Sequence, residues 1–244
     1  MSYEKQSLLV ADRFAQIADF NLWEFPTDQS DLIVNPSCLG EELLVAAEVQ
    51  ARELAGKLID EGFEFGGSCF LNGPPRGALP WVAGMKKELE ERGIEVETVF
   101  SNSGPFKIDS AAKIENINGS SPDSIVVADG VIGSGWEMIQ HIAHVRAKLP
   151  VDWEGNIAIV VGVGAEFGLG NILDFLETKI PGVKNVHLAL GKIFSEEECV
   201  GWKKAGKKDV YFVGVGDMGS RVQDGLLISD LYRMYGVELP VREN

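Results

Sequence analysis

A chain of 244 residues with 37 acidic and 22 basic side chains, a formal charge of −15, is a poor general binder of nucleic acid, because phosphate backbones are held mainly by Lys and Arg. With 45% hydrophobic and 24% charged residues it has the composition of a core-forming protein rather than a disordered one, and no apolar run is long enough to cross a bilayer. The three scattered cysteines, Cys38, Cys69 and Cys199, have no zinc spacing, and the N-terminus "MSYEKQSLLVADRF" has no secretion pattern, so the expectation is reduced thiols and a cytoplasmic protein.

Residues 1–40 fit no βα unit and are expected to be an irregular segment that caps the sheet as a hood or mediates association. From 41 to 244 the chain reads as a single α/β domain. "LGEELLVAAEVQARELAGKLIDEGF" has apolar residues at helical spacing and Gly62 placed to end the helix. "FGGSCFLNG" reads as a strand, "ALPWVAGMKKELEERG" as a helix closed by Gly93, and "IEVETVF" as an alternating strand. The polar segment "SNSGPFKIDSAAKIENINGSSPD" is long enough for a functional loop or flap. "SIVVAD" is then a strand, "WEMIQHIAHVRAKL" a helix, "NIAIVVGVG" a strand and "GNILDFLETKI" a helix. "VKNVHLALG" and "KDVYFVGVG" read as strands, and "GLLISDLYRMYG" as the last helix. Strands alternating with helices predict a parallel sheet flanked by helices on both faces, with ligands at the carboxyl ends of the strands.

Two glycine-spaced stretches fall at such ends. "VVGVGAEFGLGNIL" places Gly164, Gly168 and Gly170 between a strand and a helix, a spacing similar to the nucleotide loop of short-chain dehydrogenases. A dehydrogenase opens with that loop and carries a Tyr-x-x-x-Lys far downstream. About seventy residues follow here, with no such motif, and Glu166 would face the phosphates. "VVADGVIGSGWEM" ends a strand in Asp129 and opens a helix after Gly133, Ser134 and Gly135. Backbone N–H groups at a helix N-terminus, with a hydroxyl, are suited to gripping a phosphate dianion. The plain alternative is a strand–turn–helix junction. Glu137, His141 and His144 share one helix face, which reads either as a metal triad or as a polar stripe on an amphipathic helix.

The second stretch resembles the ribose-5-phosphate loop of type I phosphoribosyltransferases. "DVYFVGVGDMGSRVQDG" resembles the C-terminal base-binding segment of the uracil phosphoribosyltransferases, in which Gly214, Gly216, Asp217, Gly219 and Arg221 match in register. Asp129, Ser134 and Gly135 match the Asp, Thr and first Gly of that family's phosphate loop. "NGPPRGALPWVAGM" is similar to its pyrophosphate-contacting loop, with Arg76 on the family arginine, and Lys113 on the lysine before the phosphate-loop strand. The resemblance runs from about Gly67 to Gly225 in family order, leaving the first forty residues unmatched.

It implies transfer of a phosphoribosyl group from 5-phosphoribosyl 1-diphosphate to uracil or a related base, in a Mg2+-dependent homodimer. Arg76 would stabilise the departing pyrophosphate and Asp217 would approach the Mg-bound pyrophosphate or the ribose hydroxyls. Asp129 would hold the ribose hydroxyls or the Mg2+. Gly133, Ser134 and Gly135 would bind the 5-phosphate. Tyr211, Gly216 and Met218 would present backbone groups to the pyrimidine edge, with Arg221 in the same segment. Four residues depart from the pattern. Trp136 and Glu137 replace a glycine and a hydroxyl in the phosphate loop, Ser220 replaces a second aspartate, and Val213 replaces a proline. A carboxylate beside a phosphate is repulsive unless Glu137 points away at the first helical turn, where an acid suits the helix dipole. The alternative class is a non-catalytic ligand-binding or regulatory protein on the same fold.

Overall fold

The computed structural model describes residues 20–74, 77–100, 121–146, 149–150, 152–179, 185–195, 198, 200–202, 210–212 and 218–236. Its strands are β1 (Phe20–Glu24), β2 (Ser68–Gly73), β3 (Glu95–Phe100), β4 (Ser124–Ile132), β5 (Asn156–Ala165), β6 (Val186–Leu190), β7 (Ile193–Phe194), β8 (Val200–Trp202) and β9 (Val210–Phe212). Its helices, numbered here in chain order, are α1 (Asp28–Val34), α2 (Gly40–Asp60), α3 (Leu79–Glu91), α4 (Trp136–Arg146), α5 (Glu166–Lys179), α6 (Met218–Gln223) and α7 (Ile228–Met234).

The main sheet runs β1-β6-β5-β4-β2-β3, every neighbouring pair parallel, with β7 pairing β5. Strands β2, β4 and β5 are buried along almost their whole length because both of their faces are covered. One face packs on α2 and α3 through Leu43, Leu54, Leu58, Trp81, Met85 and their neighbours. The other packs on α4 and α5 through Met138, Ile142, Leu169, Ile172 and Leu176. The expected parallel sheet flanked by helices is what the chain forms.

Three features differ from the sequence expectation. Within the first forty residues, β1 pairs in parallel with β6, register Phe20↔Val186 to Glu24↔Leu190, and Thr27 and Ser30 form the capping box of α1. This part of the segment therefore belongs to the sheet. An edge strand added through backbone bonds needs no βα signature of its own. The second difference lies at "VVGVGAEFGLGNIL": strand β5 passes directly into α5 at Glu166, so Gly168 and Gly170 are helical. No loop exists there for a dinucleotide. The third concerns β9, which pairs antiparallel with β8 in a separate ribbon rather than joining the main sheet.

A buried polar chain joins three helices to the carboxyl end of the sheet. Trp81 Nε1 on α3 donates to Gln50 Oε1 on α2 at 3.1 Å. Gln50 Nε2 donates to Ser30 Oγ at 3.1 Å and, at 3.4 Å, to the Gly162 carbonyl of β5. Ser30 Oγ on α1 donates to the Gly191 carbonyl after β6 at 3.1 Å. The Trp81 ring lies against Gly130 and Gly162, where an added Cβ would come within 2.7 Å of it in each case. At this level both strands change phase together. Val126 and Ala128, then Val131, face the α2–α3 layer in β4, and Ala158 and Val160, then Val163 and Ala165, do so in β5. Because the two strands shift in step, their pairing is kept from Asp129↔Val161 through Val131↔Val163.

Near the opposite end of β6, His187 packs against Trp23 at 4.9 Å and edge-on against Phe63 at 4.8 Å. Its Nδ1 has no hydrogen-bond partner, and burial pushes its pKa down to about 4.

Two outcomes are expected. Gln50→Leu should lower stability by about 2 kcal/mol, since it strands the Trp81 N–H, and Trp81→Phe in the same chain should recover part of that loss. Additive losses in a urea-denaturation cycle would show that the two side chains do not share a bond. His187 is neutral when folded, so the unfolded chain binds the extra proton first. Its contribution is full above pH 6.5, is lost progressively on acidification toward about 4, and is constant below that. Urea midpoints of His187→Leu should therefore fall less steeply across this window than those of the parent.

Candidate functional site

The sheet order reverses between β2 and β4: β2 leads outward to β3, while β4 leads the other way to β5 and β6. Ligands of open parallel sheets sit at such a switch point, outside the carboxyl ends of the strands. The β2 pairing stops at Asn72↔Val127, so residues 128–132 of β4 run on beyond it. Asp129 stands on this extension, 7% exposed, and its Oδ1 accepts from the Gly130 N–H at 2.6 Å.

Beyond the strand come Gly133, Ser134 and Gly135, and then α4. Gly135 has φ +78°, a conformation that a residue with a Cβ adopts only with strain. Its carbonyl accepts from the Ile139 N–H at 2.9 Å, so helical bonding begins within the loop itself. Trp136 is 62% exposed and fills no part of the core. Glu137 is also exposed, in the first turn of α4, where a carboxylate favours the helix dipole. Further along this helix His141 is only 1% exposed, so the Glu137–His141 side of α4 runs from solvent into the core. The described residues contain no group of three or more His, Cys, Asp or Glu side chains able to hold a metal. The side chain of His144 lies outside those described.

The C-terminal segment reaches this place through Met218, at the start of α6. Met218 is buried, and a Cβ on Gly130 would come within 2.7 Å of its Cγ. The structure thus brings Asp129, Gly133, Ser134, Gly135 and Met218 to one end of β4. Tyr211 lies on β9 of the small ribbon. Arg76, Lys113, Gly214, Gly216 and Asp217 lie outside the described residues.

The Arg221 side chain is engaged within the chain. Its guanidinium donates to the carbonyls of Ile33 at 2.8 Å, Asn35 at 2.5 Å and Cys38 at 3.0 Å. These are carbonyls at and just beyond the end of α1, which offers no basic residue in its own last turn. Burial lowers the Arg221 pKa from its ordinary value, and burial followed by Glu42 raises that of Cys38. A side chain that is 6% exposed and joined to three carbonyls is a structural clasp.

The sequence reading missed the support of the loop. Asn171 Nδ2 on α5 donates to the Ser134 carbonyl at 2.9 Å. A Cβ on Gly168 would fall 2.1 Å from the Gly133 oxygen, and one on Gly135 would fall 2.4 Å from the Gly168 oxygen. The stretch "VVGVGAEFGLGNIL" is thus spaced to let α5 touch the β4–α4 loop.

No family model matches the sequence, and none of the curated proteins compared with it does. Among solved structures, the chain is similar to the AQ2163 protein from Aquifex aeolicus, with a TM-score of 0.55 and 13% identity over 84% of this chain and 99% of that one. At this identity the likeness is one of fold. Looser likenesses include a phosphoribosyltransferase from Corynebacterium diphtheriae, with a TM-score of 0.40 and 11% identity over 68% of this chain and 95% of that one. Another is the HGPRT-ase of Leishmania tarentolae in complex with GMP, with a TM-score of 0.38 and 15% identity over 71% of this chain and 93% of that one.

Replacing Arg221 with Ala should cost about 3 kcal/mol of stability, because buried carbonyls lose charged donors. Denaturant unfolding checks this, and a loss below about 0.5 kcal/mol would mean that water takes over the guanidinium's bonds.

Proposed function

We propose that the switch-point site binds 5-phosphoribosyl 1-diphosphate and transfers its phosphoribosyl group to a base. One observation carries this reading. Strand β4 carries a buried carboxylate, Asp129, three residues before its end at Ile132, and runs into a glycine-spaced loop that opens α4, at the topological switch point of the sheet. The loop N–H groups and the Ser134 hydroxyl would take the 5-phosphate, and Asp129 the ribose hydroxyls. Glu137 is exposed on the first helical turn, which supports the view that it does not close the cradle. Uracil as the base, and the homodimer, rest on the resemblance of the C-terminal segment and remain part of the proposal, as do the roles of Arg76, Tyr211, Gly216 and Asp217.

The chemistry of the proposed donors suits Mg2+. This ion keeps several waters and binds through one or two carboxylates together with substrate oxygens rather than in an all-protein cage. Asp129, with Asp217 as the proposed second carboxylate, is such a set. Bound there with the substrate, Mg2+ would neutralise charge on the leaving pyrophosphate.

A second reading, a non-catalytic ligand-binding or regulatory protein, has one observation in its favour. Arg221, a residue of the most specific matching segment, is buried against carbonyls of residues 33–38.

The test is calorimetric titration of 5-phosphoribosyl 1-diphosphate with Mg2+, on the parent chain, Asp129→Asn and Glu137→Ser, followed by turnover with uracil and with hypoxanthine. The enzyme reading expects binding by the parent, at least about 10-fold weaker binding by Asp129→Asn, and formation of a nucleoside monophosphate. Binding without turnover of either base selects the second reading. No binding by the parent, with binding regained in Glu137→Ser, would show that the carboxylate closes the cradle.

A further inference from the structure

Each residue of the β4–α4 loop is touched by the first turns of α5. The Ser134 carbonyl is held by Asn171 at 2.9 Å, the Gly133 oxygen lies against Gly168, and Gly135 lies against the Gly168 oxygen. A peptide unit is planar and trans, so its C=O and the following N–H point in opposite directions. With the Ser134 carbonyl drawn toward Asn171, the Gly135 N–H is turned away from α5. With the Gly133 oxygen packed on Gly168, the Ser134 N–H is turned away in the same sense. Two successive N–H groups aimed alike form a concavity suited to an anion.

We propose that Asn171 and Gly168 are positioning residues of the loop: by fixing two carbonyls, they aim the Ser134 and Gly135 N–H groups at the phosphate of the ligand. This rests on the phosphoribosyl reading for the identity of that phosphate. The orientation of the N–H pair stands on the geometry alone. Gly168 serves because any Cβ there would push the Gly133 carbonyl out of place. Asn171 serves because it donates through a side chain on a helix whose other contacts, Leu169, Ile172 and Leu176, anchor it in the core. Preorganised donors lose no rotational freedom when the anion arrives.

The experiment compares the parent chain with Asn171→Ala, Asn171→Asp and Gly168→Ala, using ribose 5-phosphate as the probe. Calorimetry reads affinity, thermal unfolding reads stability, and amide NMR of the ligand-free chain reads the Ser134 and Gly135 N–H groups. Asn171→Ala is expected to weaken ribose 5-phosphate by about 10-fold while leaving the thermal midpoint nearly unchanged, and to shift the Ser134 and Gly135 amide resonances. Asn171→Asp, which keeps the shape but loses the donor, should weaken binding at least as much. Gly168→Ala tests the second contact and should act in the same direction. Equal affinity in the parent and both Asn171 variants would overturn the proposal, as would unmoved amide resonances. If the parent itself does not bind ribose 5-phosphate, the phosphoribosyl reading falls. The amide arm then decides the positioning claim alone: shifted resonances uphold the aimed N–H pair, and unshifted ones remove it.

Discussion

The amide of Gln50 governs the geometry at the carboxyl end of this sheet. It stands fully buried on α2 and receives the Trp81 indole N–H on its oxygen. Its nitrogen serves Ser30 and the Gly162 carbonyl. Through that one side chain α1, α2 and α3 are all tied to strand ends. An apolar residue of the same volume would fill the space but would leave the indole and the carbonyl without partners, and each such loss in a dry interior is costly. The arrangement fixes the Trp81 ring across Gly130 and Gly162, and Asp129 is the residue next to that contact.

The candidate site is therefore supported from both layers. On one face, Trp81 and Met218 pack against Gly130. On the other, the first turns of α5 hold the loop that follows Ile132. A short loop between two packed layers has little freedom to rearrange, which is what binding a small anion through backbone N–H groups requires. The chain's strong negative charge makes such backbone donors more important, since they attract an anion without adding basic side chains.

Much of this was readable from the residues. The alternation of strands with helices announced a parallel sheet covered on both faces, and Gly62 and Gly93 marked helix ends, both with positive φ. The strand before Gly133–Gly135 was legible too, although it runs to Ile132 and not only to Asp129, the last residue of "SIVVAD". Gln50 had a signal that went unused: a polar residue on the stripe of Leu43, Ala47, Leu54 and Leu58, all buried on the same helix. Other features had no local signal. Nothing in "FNLWE" specifies a parallel partner far along the chain, because edge pairing is made by the backbone. Arg221 matched a binding motif, yet the carbonyls it serves lie 183 to 188 residues away in sequence, a distance no motif encodes. Gly168 looked like part of a nucleotide loop because spacing alone does not distinguish a glycine that admits a ligand from one that admits a neighbouring carbonyl.

The pairing of β1 with β6 has a bearing on how the chain is made. Phe20 leaves the ribosome well before its partner Val186, which follows only after β2, β4 and β5 have been synthesised. The same holds for Ser30 and the Gly191 carbonyl, separated by 161 positions. During synthesis the middle strands β2, β4 and β5 can pair and collapse on their helices while residues 20–34 still have no sheet edge to join. Among the described strands, the first to be translated is then the last to be seated, and its docking closes the edge that β6 would otherwise offer to other chains.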